Sequence, residues 1–247
     1  MRTILVGISI LLFFIFSVIL APVEWIVGKI SPRARDMSRL RILQGYLRII
    51  QFLSGVKTIV IGREHIPADQ PVLYIMNHRG VFDIVLTYIQ CPSLTAYIAK
   101  KEFEKVPLLS WWIRWLHGYF LDRNNLRDGL KVILSAIDAV KGGTSIAVFP
   151  EGTRGRGPDE TQMLPFHEGT FKIATKSGCP IIPVTINHTS ALFEEHKPWV
   201  HKGTVILEYG EPILPGQLSK DELKFIGRTV QEKMAVTLKK NAALQTR

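Results

Sequence analysis

Residues Thr3 to Val23, TILVGISILLFFIFSVILAPV, carry no charged side chain. As a helix rising ~1.5 Å per residue they reach roughly 30 Å, the thickness of one hydrocarbon core. The chain therefore divides into an apolar front end and a remainder that must build its own core. A signal peptide is the competing reading, since Arg2 precedes the run. Counted back from Ala21, however, the −3 residue is Ile19, which is not small, and Pro22 follows directly, so a retained anchor is expected. Beyond it come Lys29, Arg33, Arg35, Arg39, Arg41 and Arg48 against Asp36. The positive-inside rule puts this flank on the cytoplasmic side of the cell's inner membrane; a solvated charged linker is the plainer alternative. Leu40, Leu43, Leu47 and Ile50 recur at helical spacing, which suggests a helix lying along lipid headgroups. The two segments form either a hairpin in one leaflet or a full span. Residues 1–54 are thus read as membrane-anchoring helices and 55–247 as a second unit.

After residue 55 the texture changes. Short β-rich runs at 57–62, 72–76, 95–99, 119–121, 145–149, 181–186 and 204–209 alternate with helical patterns near 82–90, 106–117, 125–141, 168–177 and 219–240. The last begins with Ser219 three residues before Glu222, a capping box. Such alternation predicts an α/β domain: a mixed, largely parallel sheet flanked by helices. One long irregular stretch, 150–166, interrupts it, and loops of that length in compact domains are usually functional. The formal net charge of +10 over 247 residues points to anionic partners. The two cysteines, Cys91 and Cys179, stand alone, which argues against a disulfide framework or a zinc site and fits a reducing compartment.

Four stretches carry candidate chemistry. In NHRGVFD, residues 77–83, His78 and Asp83 lie about 140° apart on a continuous helix and would not meet. They meet if His78 is in the turn leaving a strand and Asp83 in the first helical turn, with Gly80 permitting the turn. Asp83 would then fix the imidazole tautomer and free the other nitrogen as a base. The bland alternative is a helix-start carboxylate beside an exposed histidine. In FPEGTRGRG, residues 149–157, glycines let the backbone approach a ligand and Arg154 and Arg156 offer forked donors for phosphate. It is not a Walker loop, since Pro158-Asp159 stand where Lys-Ser/Thr is required; a solvated hairpin is the alternative. GYFLDR, 118–123, reads alone as a strand end with a surface ion pair, and CPIIPV, 179–184, as a buried strand with an edge proline. Trp111, Trp112 and Trp115 suit an acyl pocket, a membrane interface or plain core packing. There is no G-x-S-x-G elbow and no H-E-x-x-H motif, and His196 and His201, near Glu194 and Glu195, lack ligand spacing and read as surface residues.

In this order, N-H-x-x-x-x-D, G-x-x-x-x-R, F-P-E-G-T-R and a proline-containing apolar strand, the motifs resemble those of the glycerolipid acyltransferase family, its bacterial 1-acylglycerol-3-phosphate branch above all. The resemblance covers roughly residues 55–210. It implies transfer of a fatty acyl group from a thioester of acyl carrier protein or coenzyme A to the free hydroxyl of lysophosphatidic acid, giving phosphatidic acid. It implies His78 as general base and Asp83 as its support. Glu151, Gly152, Thr153 and Arg154, with Arg123 from the second motif, would bind the acceptor's phosphate. Pro183 and Ile182 would belong to the acyl-chain side. No metal or prosthetic group is implied. The second motif is looser across the family, and the motifs also allow another lysophospholipid as acceptor. A basic membrane-bound scaffold or lipid-binding protein is the rival from a different class; no nucleic-acid-binding module is recognisable.

Overall fold

The computed structural model describes residues 1–244. Helix α1 (Arg2–Ile30) turns at Ser31 into α2 (Pro32–Ser54). Ser31 is extended, its side chain accepts from Ala34 N, and Pro32 opens the next helix, so the reversal is written locally. Glu24 closes the hairpin, accepting from Ser38 Oγ at 2.8 Å and facing Arg39 Nε at 3.4 Å. α1 runs past Pro22 and is long and apolar enough to cross a membrane, yet only 17% of its most apolar window is buried, so it is not a core helix.

The stripe Leu40, Leu43, Leu47 and Ile50, expected along headgroups, faces the domain instead. Leu40 and Ile50 are buried and Leu43 and Leu47 pack against the same core. An apolar helix face can be covered by lipid or by protein, and here a partner helix is at hand. Gln44, fully buried on this face, donates to Tyr88 O and Cys91 O at the C-terminal end of that helix, Val81–Gln90. The hairpin is also tied to the domain at two points along α1. Val200 N donates to Thr3 Oγ1, and Trp112 Nε1 donates to Ser17 Oγ, each at 2.8 Å.

The remainder folds as β1 (Val56–Ile61), β2 (Leu73–Met76), α3 (Val81–Gln90), β3 (Thr95–Lys100), α4 (Leu109–Trp115), β4 (Tyr119–Leu121), α5 (Leu126–Lys141), β5 (Ser145–Val148), α6 (Lys172–Ser177), β6 (Ile181–Asn187), β7 (Gly203–Tyr209), α7 (Lys220–Lys224) and α8 (Ile226–Leu244). The seven strands form one sheet in the order β1-β7-β6-β2-β5-β3-β4, parallel at every pairing except β6 with β7. Both faces are covered. Tyr74, Met76, Ile182 and Val184 point into one apolar cluster with Leu40, Phe82 and Leu86, while Leu73, Ile75, Ile146 and Ile181 point into another with Ala136, Ile173, Val230 and Met234. Burial on both faces is why these strands read as continuous apolar runs.

The expected helix at 219–240 divides at Phe225. Its start is the expected one, with Ser219 Oγ accepting from Glu222 N and Glu222 Oε2 from Ser219 N. The helix at 106–117 is shorter than expected because Pro107 and Leu108, the latter at φ 63°, precede its first turn. The 168–177 segment opens as a 3-10 turn, Glu168–Phe171.

Candidate active site

The carboxyl ends of β2, β5 and β6 share one edge of the sheet. From there β2 leads into α3, on one face, and β5 leads by the 149–171 segment into α6, on the other. The crevice between β2 and β5 is a topological switch point, where open α/β sheets bind ligands. His78 and Glu151 follow these two strands.

The turn after β2 is over-determined. Asn77 is fully buried; its side-chain amide donates to Ile186 O and accepts from Ile186 N, carrying the β2–β6 ladder one residue further. Asp83 is also fully buried, in the first turn of α3. Its Oδ2 takes three donors: His78 Nδ1 at 2.8 Å, Arg79 N at 2.7 Å and Gly80 N at 2.8 Å. Its Oδ1 accepts from Thr189 Oγ1, at the end of β6. Gly80 sits in close quarters: a Cβ there would lie 2.6 Å from Glu194 Oε2 and 3.2 Å from Thr189 O, so Glu194 would have to shift. The His78 ring stacks on Phe149 with centroids 4.2 Å apart. With Nδ1 donating to Asp83, Nε2 carries the lone pair, and it makes no hydrogen bond among the described residues.

The loop after β5 is fastened to that turn at both ends of His78. His78 N donates to Glu151 Oε1 at 2.7 Å, and Gly155 N donates to His78 O at 2.9 Å. Glu151, expected at the phosphate, is buried, and its second oxygen accepts from Leu164 N at 2.7 Å, so it clamps two backbone segments. Burial pushes its carboxyl above the ordinary range, with the amides of Leu164 and His78 opposing the shift. Gly152 is in the left-handed region at φ 69°, and a Cβ there would meet His167 Nε2 at 2.9 Å. Thr153 and Arg154 are exposed at the rim, and Arg154 Nη1 pairs with Glu194 Oε1 at 2.7 Å.

The other expected site residues are placed differently. Arg123 follows β4 on the same edge but three strands from β2, about 14 Å of sheet away at ~4.8 Å per strand. The first and third motifs are brought together and the second is left at the periphery. Ile182 and Pro183 are both buried, but as neighbours on β6 they face opposite sides of the sheet, so one acyl pocket cannot be lined by both. Of the tryptophans, Trp112 packs under α1, Trp115 lies beneath the Arg39 guanidinium, and Trp111 is exposed. His196 and His201 are exposed and stack on each other. A narrow interior cavity lies behind the turn, lined by Tyr74, Met76, Thr87, Cys91, Tyr97, Val184 and Tyr209. A broader polar cleft between Asp159–Met163 and α8 is lined without any residue of the His78 turn. Among the described residues no cluster of His, Cys, Asp and Glu could hold a metal.

Sequence reasoning assigned no role to Asn77, Arg79, Glu160, Thr189 or Glu194. Arg79 Nη2 donates to Gly157 O at 2.6 Å, which pins the glycine-rich loop. Glu160 accepts from His188 N at 2.7 Å and from Asn187 Nδ2 at 3.2 Å, which ties the same loop to the end of β6. Only Asn77 and Arg79 could have been flagged, by their place in the first motif.

A family model described as Acyltransferase matches residues 57–187, more than half of the chain, and the chain belongs to that family. It is 31% identical over 195 residues to a 1-acyl-sn-glycerol-3-phosphate acyltransferase of Saccharomyces cerevisiae, covering 78% of this chain and 64% of the relative. It is 34% identical over 178 residues to the enzyme of that name from Escherichia coli, covering 69% of each. The crystal structure of a 1-acyl-sn-glycerophosphate acyltransferase from Thermotoga maritima superposes with a TM-score of 0.78 at 26% identity, over 100% of this chain and 99% of that one. The match spans less than two thirds of the yeast relative and 60% of the Borreliella burgdorferi relative.

Proposed function

We propose that the protein transfers a fatty acyl group from a thioester to the free hydroxyl of 1-acyl-sn-glycerol-3-phosphate, giving phosphatidic acid. The observation that carries this reading is the orientation of His78. Its Nδ1 is held by a fully buried carboxylate, so Nε2 is the base, at the switch point of an acyltransferase-family sheet and beside an arginine loop. Nε2 takes the proton of the acceptor hydroxyl as the oxygen attacks the thioester carbonyl. The C–O bond forms, the C–S bond breaks, and the proton passes from the imidazolium to the departing thiolate. Asp83 holds the ring and balances its transient charge.

Arg154 is the main phosphate contact, with the Gly152-Thr153 backbone beside it, and Arg123 an outlying cation. Glu151 shapes the loop rather than touching the ligand. The acyl chain is taken on the β6 side, where Ile182 belongs to the same core cluster as the cavity-lining Tyr74 and Val184. Attack is direct, without an acyl-enzyme. Both thiols are buried, and burial pushes Cys91 up to about 11 and raises Cys179 too, so neither is a ready nucleophile. Residues 1–54 hold the protein on the cytoplasmic face of the membrane where its lipid acceptor resides, with the domain of 55–247 above. The donor is acyl carrier protein or coenzyme A. Membranes carrying the full chain, given lysophosphatidic acid and labelled acyl thioester, should yield labelled phosphatidic acid. Free fatty acid would indicate a hydrolase, and no turnover a non-catalytic lipid-binding protein. A panel of acceptors and both donors fixes the substrates.

A further inference from the structure

The rim of the site holds four carboxylates, and three of them are fully engaged. Asp83, Glu151 and Glu160 each have hydrogen bonds on both oxygens. Glu194 does not. Its Oε1 accepts from Val81 N, in the first turn of α3, at 3.0 Å and from Arg154 Nη1 at 2.7 Å. Its Oε2 is buried against Gly80 and has no hydrogen-bond partner among the described residues. The open oxygen sets Glu194 apart from its three neighbours, whose oxygens are all taken.

The donors on Oε1 are a helix N-terminal amide and a guanidinium. That is the pair of groups that ordinarily holds a phosphate. Val81 is three residues from His78, so an anion on these donors is at the mouth of the catalytic turn. Resting on the reading of Arg154 as the acceptor's phosphate contact, we propose that Glu194 occupies the phosphate's place in the unliganded enzyme and is displaced by it. Val81 N has one hydrogen to give, so a phosphomonoester taking it displaces Oε1, and the like charge of the two groups drives them apart. The phosphate brings the greater charge and more acceptor oxygens. The residues that follow, Glu195 to Trp199, are all exposed, so the released carboxylate has water beside it. Acceptors without a phosphate lack the charge to dislodge Glu194, which makes it a specificity device as well as a stand-in.

The test uses the full chain in detergent micelles. Glu194→Gln keeps an acceptor oxygen for Val81 N and removes the charge; Glu194→Ala removes both. In each, KM for lysophosphatidic acid should fall by about tenfold, the factor that ~1.4 kcal/mol of lost competition gives. Inorganic phosphate should inhibit Glu194→Gln at correspondingly lower concentration than the wild type, an independent readout should Glu194→Ala not fold. An acceptor KM that is unchanged or raised in Glu194→Gln overturns the displacement. Arg154→Ala, run in parallel, separates the two layers. If it leaves acceptor KM unchanged, the phosphate reading itself falls. If it raises KM while the Glu194 variants do not lower it, only the displacement falls.

Discussion

The turn after β2 and the loop after β5 face each other across one crevice and are built in opposite ways. Asn77, Arg79 and Asp83 in the turn are buried, and the Asp83 carboxylate alone gathers four donors. In the loop, Thr153, Arg154, Arg156 and Gly157 are exposed; its backbone is pinned at Gly155 and Gly157, while the Arg154 side chain at its tip pairs with Glu194. The contrast follows from what each part has to do. A base must present one nitrogen at one angle, and every hydrogen bond that fixes Asp83 narrows that angle. A group that receives a charged, lipid-borne headgroup from solvent needs access and some latitude. The pieces are joined where latitude would be harmful: Glu151 and Gly155, on either side of Arg154, grip the backbone of His78.

If the turn is the catalytic half and the loop the binding half, substitutions should divide between turnover and acceptor affinity. The largest effect belongs to His78→Ala, which should cut turnover by at least ~10²–10⁴-fold in folded protein. Retention of more than about a tenth of wild-type turnover would place the base elsewhere. Asp83→Asn comes next. It leaves a ring partner of similar shape but supports the wrong tautomer and withdraws charge, so kcat should fall heavily, though less than for His78→Ala, with acceptor KM little changed. Measured kcat and KM on the two proteins, with circular dichroism to check folding, decide it.

Arg154→Ala should act on the other half. Loss of a charge-assisted contact of ~1.5–3 kcal/mol predicts an acceptor KM raised roughly 10–150-fold, with donor KM unaffected. A change confined to the donor would move Arg154 to the thioester side and dissolve the division. The smallest effects are expected from Cys179→Ala, which touches neither half, and then from Cys91→Ala, which trims the wall of the interior cavity but removes no polar group of the turn or loop; both should remain measurably active. Enzyme mixed with labelled acyl thioester and no acceptor should show no stable label after denaturation. Stoichiometric label that lysophosphatidic acid removes would establish an acyl-enzyme and end the direct mechanism.

The strands were legible because both faces of the sheet are apolar; each of the seven runs predicted from sequence falls within a residue or so of its strand. Helix ends were less so. Leu108 at positive φ and the break at Phe225 depend on how neighbouring segments pack, which no local pattern encodes. The α2 stripe was visible, but whether lipid or protein would cover it was not, since both reward the same periodicity. At the site, the His78–Asp83 spacing and the Arg154 loop could be read from the chain because they are short motifs. Thr189 is 106 residues from Asp83 and Glu194 is 113 from Val81, so their contacts exist only once β6 lies beside β2. For Glu151 the family resemblance implied a place at the phosphate; its amide partners, His78 N and Leu164 N, are backbone groups that sequence does not mark.

The two ties between α1 and the domain bear on the order in which the protein can be made. Ser17 meets a tryptophan 95 residues downstream, and Thr3 meets an amide 197 residues downstream. At ~5–20 residues per second, roughly 10–40 s separate the synthesis of Thr3 from that of Val200. During that interval α2 covers part of α1, with Tyr46 stacked on Phe13, and Trp112 reaches Ser17 roughly midway. α1 is thus paired with α2 well before its Thr3 end meets the domain, and a ribosome paused before Val200 would leave the hairpin without that tie.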